Sequence, residues 1–158
     1  MNIQVAVCGP SACSQAEAEH AFRVGQLLAE RDATVLCGGG PGVMDAVAAG
    51  ARSRDGLVIG IRPDADKSTA SPHLSAVVLT NLGEARNAVL VSSADAVIVV
   101  GGSWGTLSEA ALAKRRGTAP VISIGGWRIV DSAGSPVDGV REAATPEEAV
   151  DLALAQRP

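Results

Sequence analysis

Two glycine-rich turns constrain this chain more than anything else in it. Cys37-Gly38-Gly39-Gly40-Pro41-Gly42-Val43-Met44 and Gly101-Gly102-Ser103-Trp104-Gly105-Thr106-Leu107-Ser108-Glu109 each follow an apolar, strand-like run and open into a helix-like one. Glycine lets the backbone turn with φ > 0 and approach a ligand with no Cβ in the way, while the free N–H groups and partial positive charge of a helix start face that ligand. Strand, glycines, helix is how an α/β sheet builds an anion cradle. Two such turns in 158 residues predict a site for a phosphorylated small molecule.

The rest of the chain alternates in the same way. A β-branched run over 3–8 ends at Gly9-Pro10, and Ser14-Gln15-Ala16-Glu17 offers a capping box to a helix reaching about Arg31. Val35 and Leu36 close a second strand, and Pro41 sits near the first position of a helix running to about Ser53. A third strand covers 57–61, and the polar stretch 62–74 reads as a flap over the strand ends. A fourth strand at 76–79 precedes a helix begun by Asn81-Leu82-Gly83-Glu84. The unbroken apolar run 96–100 suits a central parallel strand buried on both faces. A helix from Thr106 to about Arg116, a strand at 121–124, an irregular return over 125–140 with a short strand at 127–130, and a helix capped by Thr145-Pro146-Glu147-Glu148 complete the pattern. Strict alternation predicts one α/β domain over 1–158, Rossmann-like and doubly wound, with a mostly parallel sheet flanked by helices and a crevice at the strands' carboxyl ends.

Composition narrows the function. The hydrophobic content of 47% supplies one core, while a net charge of −4 and three aromatics (Phe22, Trp104, Trp127) lack the basic face and stacking residues of a nucleic-acid binder. No apolar stretch reaches membrane-spanning length and the start has no basic leader, so a cytoplasmic chain is expected. Cys8, Cys13 and Cys37 show no paired or metal-ligand spacing and read as reduced and structural. No cluster has metal-ligand spacing, and no resident cofactor or metal is expected.

The first strand ends Cys8-Gly9-Pro10-Ser11, which is not the dinucleotide fingerprint, and no Gly-Lys-Ser or Gly-Lys-Thr of a P-loop occurs. The motifs instead resemble the Lonely Guy family, long labelled lysine decarboxylase-like, whose members hydrolyse nucleoside 5′-monophosphates to a free base and ribose 5-phosphate. That family carries a GGG-x-x-G-x-M turn, an Arg-Lys pair on a helix, and P-G-G-x-G-T-x-E-E. This chain has Gly38-Gly39-Gly40-Pro41-Gly42-Val43-Met44, one residue shorter, then Arg86-Asn87, then the second glycine turn. Gly101 stands for the family's Pro, Ser103 for its second Gly, Asn87 for Lys and Ser108 for the first Glu. A VGGSxGTLSE turn after an Ala-Arg-Asn helix is similar to a sister branch that includes molybdenum-cofactor carrier proteins. The decarboxylase label fails on chemistry: the chain's lysines, Lys67 and Lys114, lie outside both turns, and pyridoxal phosphate needs a Schiff-base lysine.

The candidate site follows. Gly102, Ser103, Gly105 and Thr106 would present N–H groups and a hydroxyl to phosphate at a helix start, with Gly39, Gly40 and Gly42 completing the cradle. Arg86 would clamp phosphate or ribose through its planar fork, and Glu109, close to one turn beyond Thr106, would stabilise charge at the anomeric carbon or orient water. Asn87 would meet ribose or base, and Trp104 would stack on a base or pterin ring. Each has a plainer alternative: tight turns for the glycines, an ion pair for Arg86, dipole compensation for Glu109, a cap for Asn87, a subunit contact for Trp104. Two functions remain open, a nucleoside-monophosphate hydrolase with Arg86 and Glu109 as catalytic residues, or a non-catalytic carrier of a phosphorylated cofactor such as molybdenum cofactor. The family resemblance implies a homodimer or higher homo-oligomer.

Overall fold

A computed structural model describes residues 1–155. Among these residues seven strands form one sheet: β1 (Gln4–Cys8), β2 (Thr34–Cys37), β3 (Val58–Arg62), β4 (Ala76–Leu79), β5 (Ala96–Val100), β6 (Val121–Ile124) and β7 (Val140–Ala143). Their order is β4-β3-β2-β1-β5-β6-β7, and every pairing is parallel. The chain starts in the middle, steps outward to β4, then returns to the other side of β1 to lay down β5, β6 and β7. The direction of winding therefore reverses between β1 and β5, which opens a crevice at their carboxyl ends.

Helices α1 (Gln15–Glu30), α2 (Val43–Arg52) and α5 (Pro146–Leu154) cover one face, and α3 (Arg86–Ser92) and α4 (Trp104–Arg116) the other. The strand period of two sends Val5, Val7, Ile98 and Val100 to the first core and Ala6, Cys8, Val97 and Val99 to the second. Burial on both faces is why β5 reads as unbroken apolar sequence. Helix ends follow local chemistry. Ser14 and Glu17 make the capping box of α1, Thr145 caps α5 with Pro146 in its first turn, and Gly117 (φ 72) ends α4 just after Lys114, Arg115 and Arg116.

Four expectations need correction. The seventh strand is Val140–Ala143, not 127–130; the latter makes one antiparallel bridge, Val130 to Pro136. β7 lies at the sheet edge with Arg141 and Glu142 exposed, so it lacks the apolar run of a buried strand. Asn81 has φ 52 and cannot start a helix; a single 3-10 turn over Gly83–Ala85 leads into α3. Pro41 lies outside α2, whose first residue is Val43 after Gly42. α4 starts two residues before Thr106, at Trp104, which makes Ser103 its N-cap.

Candidate functional site

The first glycine turn leaves β2 toward α2. Its glycines make room for two arginines. A side chain at Gly38 would strike the Arg86 guanidinium, and one at Gly39 or Gly40 would come within 2.9 Å of Arg62 Cδ or 3.0 Å of Arg62 Nη1. Arg86, from α3, donates through Nη1 to the Ile61 carbonyl at 2.7 Å. Arg62, the last residue of β3, is only 6% exposed, pairs with Asp64 and donates to Thr69 Oγ1 at 2.6 Å. Among the described residues the Nε of both arginines is buried with no hydrogen-bond partner. A guanidinium donor left unpaired out of water is costly, so both sit poised beside the turn with unused donor capacity.

The flap expected at 62–74 is tied down over this turn. Ser71 N–H donates to the Gly39 carbonyl at 2.9 Å, and its hydroxyl donates to Asp45 Oδ1 at 2.5 Å, where His73 Nδ1 also lies at 2.9 Å. Burial pushes the Asp45 carboxyl up, but the Ser71 and His73 hydrogen bonds outweigh it and hold the group below its ordinary value. Asp45 thus anchors the flap.

The second turn leaves β5 and starts α4. Ser103 Oγ accepts from the Thr106 N–H at 3.1 Å and lies 2.9 Å from Thr106 Oγ1. The amides of Trp104 and Gly105, ahead of it, have no acceptor within the helix. Most glycines here and in the first turn are demanded by neighbours: Gly42 by the Pro10 and Ser11 carbonyls, Gly101 by the Glu17 carboxylate, Gly102 by the Trp127 ring. Gly105 differs, because a Cβ there would meet nothing closer than Ser103 Oγ at 3.9 Å. Trp104 is 79% exposed and meets Trp127 edge to face, with ring centroids 5.1 Å apart.

Between the turns lies Glu109, only 7% exposed. Burial raises its carboxyl from an ordinary 4.5 to about 7, against the opposing pull of the Arg86 charge and the Cys8 thiol hydrogen bond. Glu109 therefore exchanges a proton near neutrality. Cys8, at the end of β1, is pushed well up by burial and by Glu109, and burial pushes Cys37 up to about 11. Asn87, next to Arg86 in the chain, is buried, and among the described residues its side chain has no hydrogen-bond partner. Among the described residues no group of three His, Cys, Asp or Glu is placed to hold a metal, and no helix is long and apolar enough to cross a membrane.

Arg86 thus meets the first turn, Ser103 and Thr106 the second, and Glu109 faces Cys8 between them. Two contributors escape the motif reading. Arg62 looks like the start of a polar loop, and Glu17 like a helix cap; only the sheet order brings them to Gly39, Gly40 and Gly101.

This architecture, a parallel sheet wound both ways with glycine turns at its switch point, is a Rossmann-like α/β fold. The chain belongs to the SLOG cluster4 family, whose model matches residues 2–150. An uncharacterized protein of Archaeoglobus fulgidus is 38% identical over 154 residues, covering 96% of this chain and 95% of its own. The molybdenum cofactor binding protein of the phototrophic bacterium Rippkaea orientalis superposes with a TM-score of 0.87 at 32% identity, covering 96% of this chain and 95% of that one. The molybdenum cofactor carrier protein of Chlamydomonas reinhardtii gives 0.81 at 27% identity, over 94% of each chain. The single-stranded-DNA-binding DNA processing protein A of Helicobacter pylori shares the fold alone, at 18% identity and a TM-score of 0.63 over 85% of this chain and 68% of that one.

Proposed function

We propose that this chain binds a phosphorylated small molecule across the carboxyl ends of β1, β2 and β5, and serves as a carrier of a phosphorylated pterin cofactor of the molybdenum-cofactor kind. The observation that carries the reading is the convergence of both glycine turns on the switch point beside two arginines with unused donors. Phosphate sits at the start of α4, on the Trp104 and Gly105 amides with the Ser103 and Thr106 hydroxyls near, and Gly105 stays small so that the ligand can approach. Gly39, Gly40 and Gly42 shape the facing wall, Arg86 supplies the positive charge, and Asn87 offers an unused amide.

The carrier reading is favoured over hydrolysis by the second turn. Gly101 has φ 70, which proline cannot adopt, so the turn has a different shape from one built on Pro-Gly-Gly. Glu109 favours the second reading, a nucleoside 5′-monophosphate hydrolase, because a carboxyl titrating at about 7 suits proton transfer at neutral pH. Native mass spectrometry of the purified protein, beside an assay for free base and ribose 5-phosphate, separates them. A retained pterin without turnover supports the carrier. Turnover abolished by Glu109→Gln and Arg86→Ala establishes the hydrolase. The net charge of −4 disfavours nucleic acid as the ligand.

A further inference from the structure

We infer that the slot between α4 and the 125–142 segment holds the planar, heteroaromatic ring of the ligand; this rests on the phosphorylated-ligand reading above. On this face α4 lies over β5 and β6, and the excursion after β6 closes the surface beyond it, leaving a cavity between the two. Val99, Leu107 and Ala110 line one side, and Trp127, Ile129 and Val137 the other. Apolar walls beside a helix start suit a flat group attached to a phosphate.

Three features make this a built site. Trp127 is held in place: its ring fills the space a side chain at Gly102 would take, and Trp104 meets it at 82°. Ser123, only 7% exposed, lines the slot together with the Arg128–Glu142 ion pair, and among the described residues its hydroxyl has no hydrogen-bond partner. A hydroxyl both donates and accepts, so it can meet a ring nitrogen or an exocyclic amine of a group in the slot. The slot is also continuous with the phosphate position, because Gly102, Ser103 and Thr106 line the slot and begin α4. Ring and phosphate are thereby placed within the reach of one nucleoside or pterin monophosphate.

Trp104 and Trp127 are the chain's two tryptophans, so intrinsic fluorescence reports on this slot directly. The experiment titrates the full chain with AMP, 6-hydroxymethylpterin phosphate and ribose 5-phosphate by calorimetry, with tryptophan quenching followed for AMP. At least one ring-bearing phosphate should bind about tenfold more tightly than ribose 5-phosphate, and Trp127→Leu and Ser123→Ala should each shrink that ratio. The affinity ratio is the readout because misfolding lowers all three affinities alike. Ring-bearing and ringless phosphates binding equally would overturn the slot while leaving the phosphate site standing. A ratio unchanged in both variants would also overturn it, as would a Trp127→Leu protein that dissociates to monomers with its ratio intact. Failure of all three probes to bind would overturn the parent reading and the slot with it.

Discussion

Glu109 is a carboxyl held largely out of water, and the consequence is measurable as stability. The unfolded chain releases this proton near 4.5 and the folded one near 7, so the native state holds more protons across that window. Stability is therefore full below about pH 4.5 and falls as pH rises toward 7, by about 3 kcal/mol at most. Urea denaturation of Glu109→Gln should lose this slope, and an identical slope in the variant would assign it elsewhere. The thiols give a second check at this scale. Cys8 and Cys37 are buried with raised pKa values, whereas Cys13 is partly exposed. A thiol reagent should modify Cys13 in the native protein and reach the other two only at the unfolding rate. The roles of Ser103 as a cap and of Thr106 beside it are legible locally, because a cap is set by residues three apart. Arg62 is not: its relation to Gly39 and Gly40 depends on β3 lying beside β2, which a single sequence does not state.

At the scale of elements, two glycines bring α1 and α2 together. A side chain at Gly50 would meet the Phe22 carbonyl, and one at Gly25 the Val47 carbonyl, so the helices touch backbone to backbone. Backbone cannot move aside cheaply. Gly50→Ala should destabilise by about 1–3 kcal/mol in urea denaturation. Gly105→Ala should behave oppositely: the space is open, α4 accepts alanine well, and stability should stay level or rise by about 0.5 kcal/mol. Its phosphate affinity should nonetheless fall, and unchanged affinity would remove Gly105 from the site. Among elements, the central strands, the capped ends of α1 and α5 and both glycine turns were readable because each is fixed by short-range pattern. β7 was not, since one exposed edge strand with Arg141 and Glu142 looks like loop, while 127–130, ending in the β-branched Ile129 and Val130, finds no neighbouring strand and lies exposed over the slot.

For the molecule as a whole, the order β4-β3-β2-β1-β5-β6-β7 gathers contributions from β1, β2, β3, α3 and α4 at one end of the sheet. The exposed, wholly apolar edge strand β4 and the exposed Trp104 accord with a dimer or larger homo-oligomer, and light scattering at micromolar concentration should show it. A monomeric mass would contradict that expectation without touching the site. The claim on which the account depends is that this end of the sheet binds a phosphorylated ligand through Arg86. The measurement that tests it most directly is calorimetric titration of wild type and Arg86→Ala with 6-hydroxymethylpterin phosphate and AMP. Saturable binding of at least one in the wild type, weakened about tenfold or more in the variant, is the predicted result. Equal affinities in the two proteins, or no binding of either ligand to the wild type, would contradict it.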